Sequence, residues 1–135
     1  MIRIEVPGQP QAKGRPRVAV RAGRAMAYTP AKTVAYENAI GFYAFDVMAG
    51  RELWDGPVSL TVFAQFQIPK SRMKGKNALN VGAWHVGKPD GDNILKAVGD
   101  ALNGIVWRDD CQVAMASIIK TYSDKPRLVI EVKPV

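Results

Sequence analysis

Apolar and polar side chains alternate from the first residues onward. Ile2, Ile4 and Val6 stand against Arg3 and Glu5, and Pro7-Gly8 closes the run. This is the period of a half-buried strand with a turn behind it. Breakers dominate the next stretch, Gly8 to Arg17, where Pro16 pushes Arg15 toward an extended conformation. Val18–Val20 and Ala25–Tyr28 then predict a hairpin across Arg21-Ala22-Gly23-Arg24. Thr29-Pro30 predicts a helix start, with a hydroxyl at the cap and proline in the first helical position. That helix should run to Ala49 and stop at Gly50. Its apolar positions Tyr36, Ile40, Tyr43 and Val47 recur at helical spacing, and Phe42 and Phe45 widen the stripe. The period favours a core or dimer surface over a stacking platform.

The clearest strand signal follows the turn at Trp54-Asp-Gly-Pro57. Val58, Leu60, Val62, Ala64, Phe66 and Ile68 face one way, and Ser59, Thr61, Gln65 and Gln67 the other. Lys70 to Asn80 has no periodicity and predicts a mobile loop. A second helix is expected after Asp92, its buried stripe made of Ile94, Leu95, Val98, Ala101 and Leu102 and its end set by Gly104. Gln112 to Thr121 is almost continuously apolar, which predicts a central strand. After a turn at Ser123 to Pro126, Leu128, Ile130 and Val132 alternate with polar residues in a last strand. The order predicts an α+β fold: one domain over residues 1–135, a mixed sheet of about four to six strands, and two main helices against one face.

Composition adds charge to this outline. The 135 residues are 47% hydrophobic and carry a net charge of +7, a balance that points first to nucleic acid. Arg3, Lys13, Arg15, Arg17, Arg21 and Arg24 meet one acid, Glu5, in the first basic region. Lys70, Arg72, Lys74, Lys76 and Lys88 meet none in the second. Two such regions suit a surface that tracks phosphates. No apolar run reaches the ~18 residues of a membrane span, and no signal-peptide pattern opens the chain. Cys111 is the single cysteine, so an internal disulfide is ruled out; it is expected to be a buried filler. A cytoplasmic protein without membrane contact is the expectation.

Against this basic background, residues 88–113 hold Asp90, Asp92, Asp100, Asp109 and Asp110. Pro89 and Gly91 keep Asp90 out of the helix, and Asp92 is expected at its N-cap. If helix and following strand pack together, the return loop brings Asp110 back beside this first pair. Clustered carboxylates repel unless a cation intervenes, and an all-oxygen donor set selects Mg²⁺ or Mn²⁺ over zinc. With one histidine, His85, and one cysteine, zinc and thiol chemistry are poor readings. A carboxylate-held metal beside bound DNA suggests phosphodiester hydrolysis. Lys96, one turn after Asp92, is placed to polarise a phosphate or assist proton transfer. Taken singly, Asp92 is a helix cap, Asp100 an ion-pair partner or orienter of Lys96, and Asp109-Asp110 a turn.

The pattern Pro89-Asp90-Gly91-Asp92-Asn93, Lys96, Asp100-Ala101-Leu102, Asp109-Asp110 and Gln112-Val113 resembles the RusA family of Holliday junction resolvases. Gly8-Gln-Pro10 through Lys13-Gly-Arg-Pro-Arg17 is similar to the phage branch of that family. The resemblance implies that Asp90, Asp92 and Asp110 are catalytic metal-binding carboxylates, that Asp109 is auxiliary, and that Lys96 is the essential lysine. The link from Leu102 to Trp107 is slightly shorter than in some members. That keeps Asp109 open as the third ligand, with Asp110 favoured. The resemblance further implies a homodimer that resolves four-way DNA junctions by paired nicks with Mg²⁺, Mn²⁺ being a substitute, and with no small-molecule cofactor. Lys13, Arg15, Arg17, Lys70, Arg72, Lys74, Lys76 and Lys88 are the expected DNA contacts. Pro-Asp, acid and lysine are also similar to the PD-(D/E)xK nucleases, but the lysine lies four residues after Asp92 rather than two. Trp84 and His85, in the loop before the acidic stretch, read as packed or exposed aromatics rather than a wedge into the junction. Two other classes remain open: a non-catalytic basic DNA-binding protein, and a metal-dependent phosphohydrolase acting on other branched or small nucleic-acid substrates.

Overall fold

A computed structural model describes all 135 residues, and no helix in it is long and apolar enough to cross a membrane. Six strands and two main helices follow in the order β1 (Ile2–Pro7), β2 (Arg17–Arg21), β3 (Arg24–Tyr28), α1 (Ala31–Met48), β4 (Val58–Gln67), α2 (Gly91–Leu102), β5 (Val113–Ser123) and β6 (Arg127–Pro134). One-turn 3-10 helices occupy Lys70–Arg72 and Asp110–Gln112. The fold is α+β, as the periodicities predict.

Four strands form the main sheet in the order β1-β6-β4-β5. β6 is antiparallel to both β1 and β4, whereas β4 and β5 run parallel and are joined through α2. A parallel pair needs such a crossover, so α2 is obliged to lie across β4 and β5. Ile2, Ile4 and Val6 of β1, the even-numbered residues of β4, and Leu128, Ile130 and Val132 of β6 are buried in one cluster with Tyr36, Ile40 and Ala44 of α1 and Ile94, Val98 and Leu102 of α2. Both helices therefore cover the same sheet face. Fully buried Trp107, whose indole N–H donates to Asn103 Oδ1 at 2.8 Å, anchors the segment between α2 and β5. Replacing so large a side chain by alanine typically costs ~3–5 kcal/mol.

Three sequence expectations change. β5 is an edge strand, not a central one, and Ala114 to Ser117 are exposed. The last strand, β6, takes the centre by pairing on both sides, and apolarity alone cannot distinguish the two positions. The end of β5 is shielded by residues 82–85, through Gly82 N–H to Tyr122 O, Tyr122 N–H to Ala83 O and His85 N–H to Lys120 O. α1 begins one residue later than expected. Pro30 occupies its cap position, and its carbonyl, rather than the Thr29 hydroxyl, accepts from Thr33 and Val34 N–H. The aromatic stripe also splits: Tyr36 is buried, while Phe42 and Phe45 point outward at 70% and 74% exposure.

The predicted hairpin forms as a separate two-stranded ribbon, β2 with β3. Its two-residue turn, Ala22-Gly23, has φ of 50° and 75°. Both positive values fit the turn whose twist matches a hairpin, although alanine is strained there. Its residues are almost all exposed, including Val18, Val20 and Met26. The basic loop after β4 is more ordered than its composition suggests, since Arg72 Nε donates to Asn77 O at 2.7 Å and Leu79 N–H to Arg72 O at 2.8 Å.

Candidate active site

α2 starts two residues earlier than expected. Asp90, not Asp92, holds the cap position, in an extended conformation and with no hydrogen bond to its carboxylate. Its carbonyl accepts from Ile94 N–H at 3.2 Å. Asp92 falls in the first turn. Both carboxylates are exposed at the positive end of the helix, where the aligned peptide dipoles favour negative charge. Gly91 between them is a steric necessity, because a Cβ there would meet Ile118 Cγ2 of β5 at 2.9 Å.

The second acidic pair is set by a different device. Asp109 caps the 3-10 turn, accepting from Cys111 N–H at 3.0 Å. Gln112 closes the turn from the other side: its Oε1 accepts from Arg108 and Asp109 N–H, and its Nε2 donates to Trp54 O and Gly56 O. One side chain thus ties the 108–112 turn to the segment entering β4. Cys111 is exposed, contrary to the expected buried filler, because the tight turn points it outward. The charge of Asp109 pushes its thiol pKa up, which disfavours the thiolate a nucleophile requires.

Asp109 and Asp110, adjacent in this turn, have pKa values pulled in opposite directions. The Cys111 N–H, followed by the Asp110 hydrogen bond, holds Asp109 below the usual carboxylate range. The same Asp109 contact, reinforced by burial, raises Asp110, while the Lys96 charge opposes the rise.

Asp110 packs against α2 at Gly99, where an added Cβ would touch its Oδ2 at 3.4 Å. The return loop does bring Asp110 to the helix, but at the third turn and not beside Asp90 and Asp92. Seven residues separate Asp92 from Gly99, about 10 Å along a helix axis. No three His, Cys, Asp or Glu side chains stand close enough together to hold a metal ion in the single chain. Lys96 lies between the two acidic groups, its ammonium 3.2 Å from Asp100 Oδ1. The donors are all carboxylate oxygens, which suits a hard divalent cation in chemistry, but their full set is not pre-assembled within one chain.

Of the expected DNA contacts, Arg15, Arg17 and Lys88 line one open groove of about 870 Å³ that reaches Asp90 and Asn93. Lys32, at the start of α1, joins them and had no signal beyond its charge. Lys70, Arg72, Lys74 and Lys76 are exposed on the loop after β4, outside this groove. Lys13 is different: it is half-buried and ion-paired with Glu37 and Asp100, so it is not free to meet a phosphate. Trp84 is 70% exposed, whereas His85 stacks on Phe66 with ring centroids 3.7 Å apart.

A small α+β domain with acidic residues at a helix head, a lysine one turn on and a basic groove leading to them has the features of a nuclease. The chain matches the family described as Endodeoxyribonuclease RusA over residues 7–133 and belongs to it. That family consists of enzymes that hydrolyse DNA. A relative from Bacillus subtilis (strain 168), the uncharacterized protein YqaN, is 34% identical over 138 aligned positions that cover 99% of this chain and 96% of the relative.

Proposed function

We propose that this protein is a Mg²⁺-dependent endodeoxyribonuclease that resolves four-way DNA junctions by paired symmetric nicks, acting as a homodimer in DNA recombination and repair. The observation that carries the reading is the groove bearing Arg15, Arg17, Lys32 and Lys88, which ends at Asp90. Four cations along one path bind a phosphate backbone and deliver it to carboxylates that would otherwise repel it. In this reading Asp90, Asp92 and Asp110 hold the cation once Asp110 moves toward the head of α2, with Asp109 auxiliary, and Mn²⁺ substitutes. When bound, the cation supplies an activated water and charge stabilisation at the phosphate. Lys96 adds a positive charge beside the scissile phosphate, and Asp100 fixes its direction. Gln112 keeps Asp109 and Asp110 in place by holding their turn. A four-way junction has two-fold symmetry, which an isologous dimer matches with two equivalent sites. Phe42 and Phe45, exposed on α1, offer apolar surface for such contact.

The test is cleavage of a synthetic four-way junction, a linear duplex and free nucleotides by the purified chain with Mg²⁺ or Mn²⁺. The expected result is two symmetric nicks in the junction, little cutting of the duplex and none of the nucleotides. Binding without nicking in either metal would make the chain a DNA-binding protein instead.

A further inference from the structure

We propose that Lys13 is a positioning residue for Lys96, acting through Asp100, and not a phosphate contact. This rests on the nuclease reading above. Lys13 lies in the loop between β1 and β2, more than eighty positions before Lys96 in the chain. Its backbone N–H donates to Asn93 O in the first turn of α2 at 3.0 Å. Its ammonium reaches back along the same helix to Asp100 Oδ2 at 3.3 Å and also donates to Glu37 of α1. Asp100 accepts Lys96 on its other oxygen, Oδ1, at 3.2 Å. One carboxylate is therefore gripped by a different lysine on each oxygen.

The exposures separate the roles. Lys13, Glu37 and Asp100 are 20%, 19% and 23% exposed at their side chains, whereas Lys96 is 58% exposed. Three members form an inner frame, and only Lys96 faces the solvent side where a phosphate arrives. A carboxylate held on one oxygen swings about its last torsion; held on both, it cannot. Removing Lys13 frees that swing, leaves Glu37 and Asp100 without their shared cation, and gives Lys96 a moving partner. The loop bearing Lys13 is itself fixed, because Gly14 N–H donates to Thr33 Oγ1 at 2.9 Å, and a Cβ at Gly14 would clash with that oxygen at 2.5 Å. The N-terminal loop is in this way joined to both helices, with Lys13 as its inner contact and Arg15 as its outward one.

The experiment compares the unmutated protein with Lys13→Met, Lys13→Arg, Asp100→Asn and the Lys13→Met/Asp100→Asn double variant. Single-turnover cleavage of a four-way junction in Mg²⁺ is measured beside junction affinity without metal across a salt series. Lys13→Met should slow cleavage tenfold or more, leave Kd within twofold and leave the salt slope unchanged. Lys13→Arg should recover most of the rate, and the double variant should be no slower than the slower single one. A weakened Kd with a salt slope reduced by about 1 and an unchanged rate would make Lys13 a phosphate contact and overturn the assignment. Additive losses in the double variant would overturn it equally. Nitrogen-detected lysine ammonium spectra of the unmutated protein apply even where Lys13→Met does not fold. The Lys13 signal should be present without DNA and unmoved by the junction, and a shift on DNA addition would contradict the proposal. If the unmutated protein does not cut the junction, the nuclease reading itself fails; if it cuts and Lys13→Met cuts equally fast, only the role of Lys13 fails.

Discussion

At the scale of single residues, the site depends on two glycines as much as on its acids. Gly91 lets the head of α2 rest on Ile118, and Gly99 lets Asp110 reach the third turn. Ile118 is β-branched and cannot fold its methyl away cheaply. Gly91→Ala should therefore displace Asp90 and Asp92 together, cutting junction cleavage at least tenfold while the purified protein keeps a cooperative melt. A wild-type rate in Gly91→Ala would show that this close approach does not position the acids. His85 offers a separate check. Its burial against Phe66, and then the nearby Lys120 charge, hold its pKa below the ordinary 6.5. The neutral form is favoured on folding, so its contribution to stability is present above pH 6.5 and is lost as the pH falls through that value toward the folded pKa. An NMR titration should place its midpoint below 6.5, and Lys120→Met should move it upward; a midpoint at or above 6.5 contradicts this environment.

The acidic helix start and the place of Lys96 one turn on were legible in the chain because they are local, whereas the third-turn position of Asp110 was not. Lys13, Glu37 and Gln112 were not. Gln112 acts on Trp54 and Gly56, and Lys13 on Asp100, across distances in sequence that no periodicity encodes. Only folding reveals that Lys13 is an inner residue while Arg15 and Arg17 line the groove.

At the scale of elements, strands and helices were readable to within a residue or two, but their positions in the sheet were not. β5 and β6 both carry apolar runs, and it is pairing, not hydrophobicity, that sets β6 between β1 and β4 and leaves β5 outside. The N-terminal loop lies over α1 at a cost. The hydroxyl of Tyr36 is buried without a hydrogen-bond partner of good geometry. Burial pushes its pKa up to about 12, opposed by the nearby Gln11 backbone. An unpartnered buried polar group costs ~1–3 kcal/mol. Tyr36→Phe should thus leave the denaturation midpoint unchanged or raise it, with a fall showing that the hydroxyl is paired.

For the whole molecule, one sheet face carries both helices, and Arg15, Arg17, Lys32 and Lys88 line a groove that reaches Asp90. Counterion release makes binding steeply salt-dependent. Arg15→Ala and Lys32→Ala should each lower the salt slope of junction affinity by about 1 and weaken binding roughly equally on all sequences. An unchanged slope would place the DNA elsewhere. The account as a whole stands on the acids at the head of α2 acting through a bound cation. The most direct measurement is four-way junction cleavage and binding by Asp92→Asn beside the unmutated protein in Mg²⁺, with Lys96→Ala in parallel. Both variants should cut at least a hundredfold more slowly. Asp92→Asn should bind the junction as tightly or more tightly, since a negative charge near phosphates is gone. Cleavage by Asp92→Asn at the unmutated rate, or a large loss of its affinity, would contradict the account.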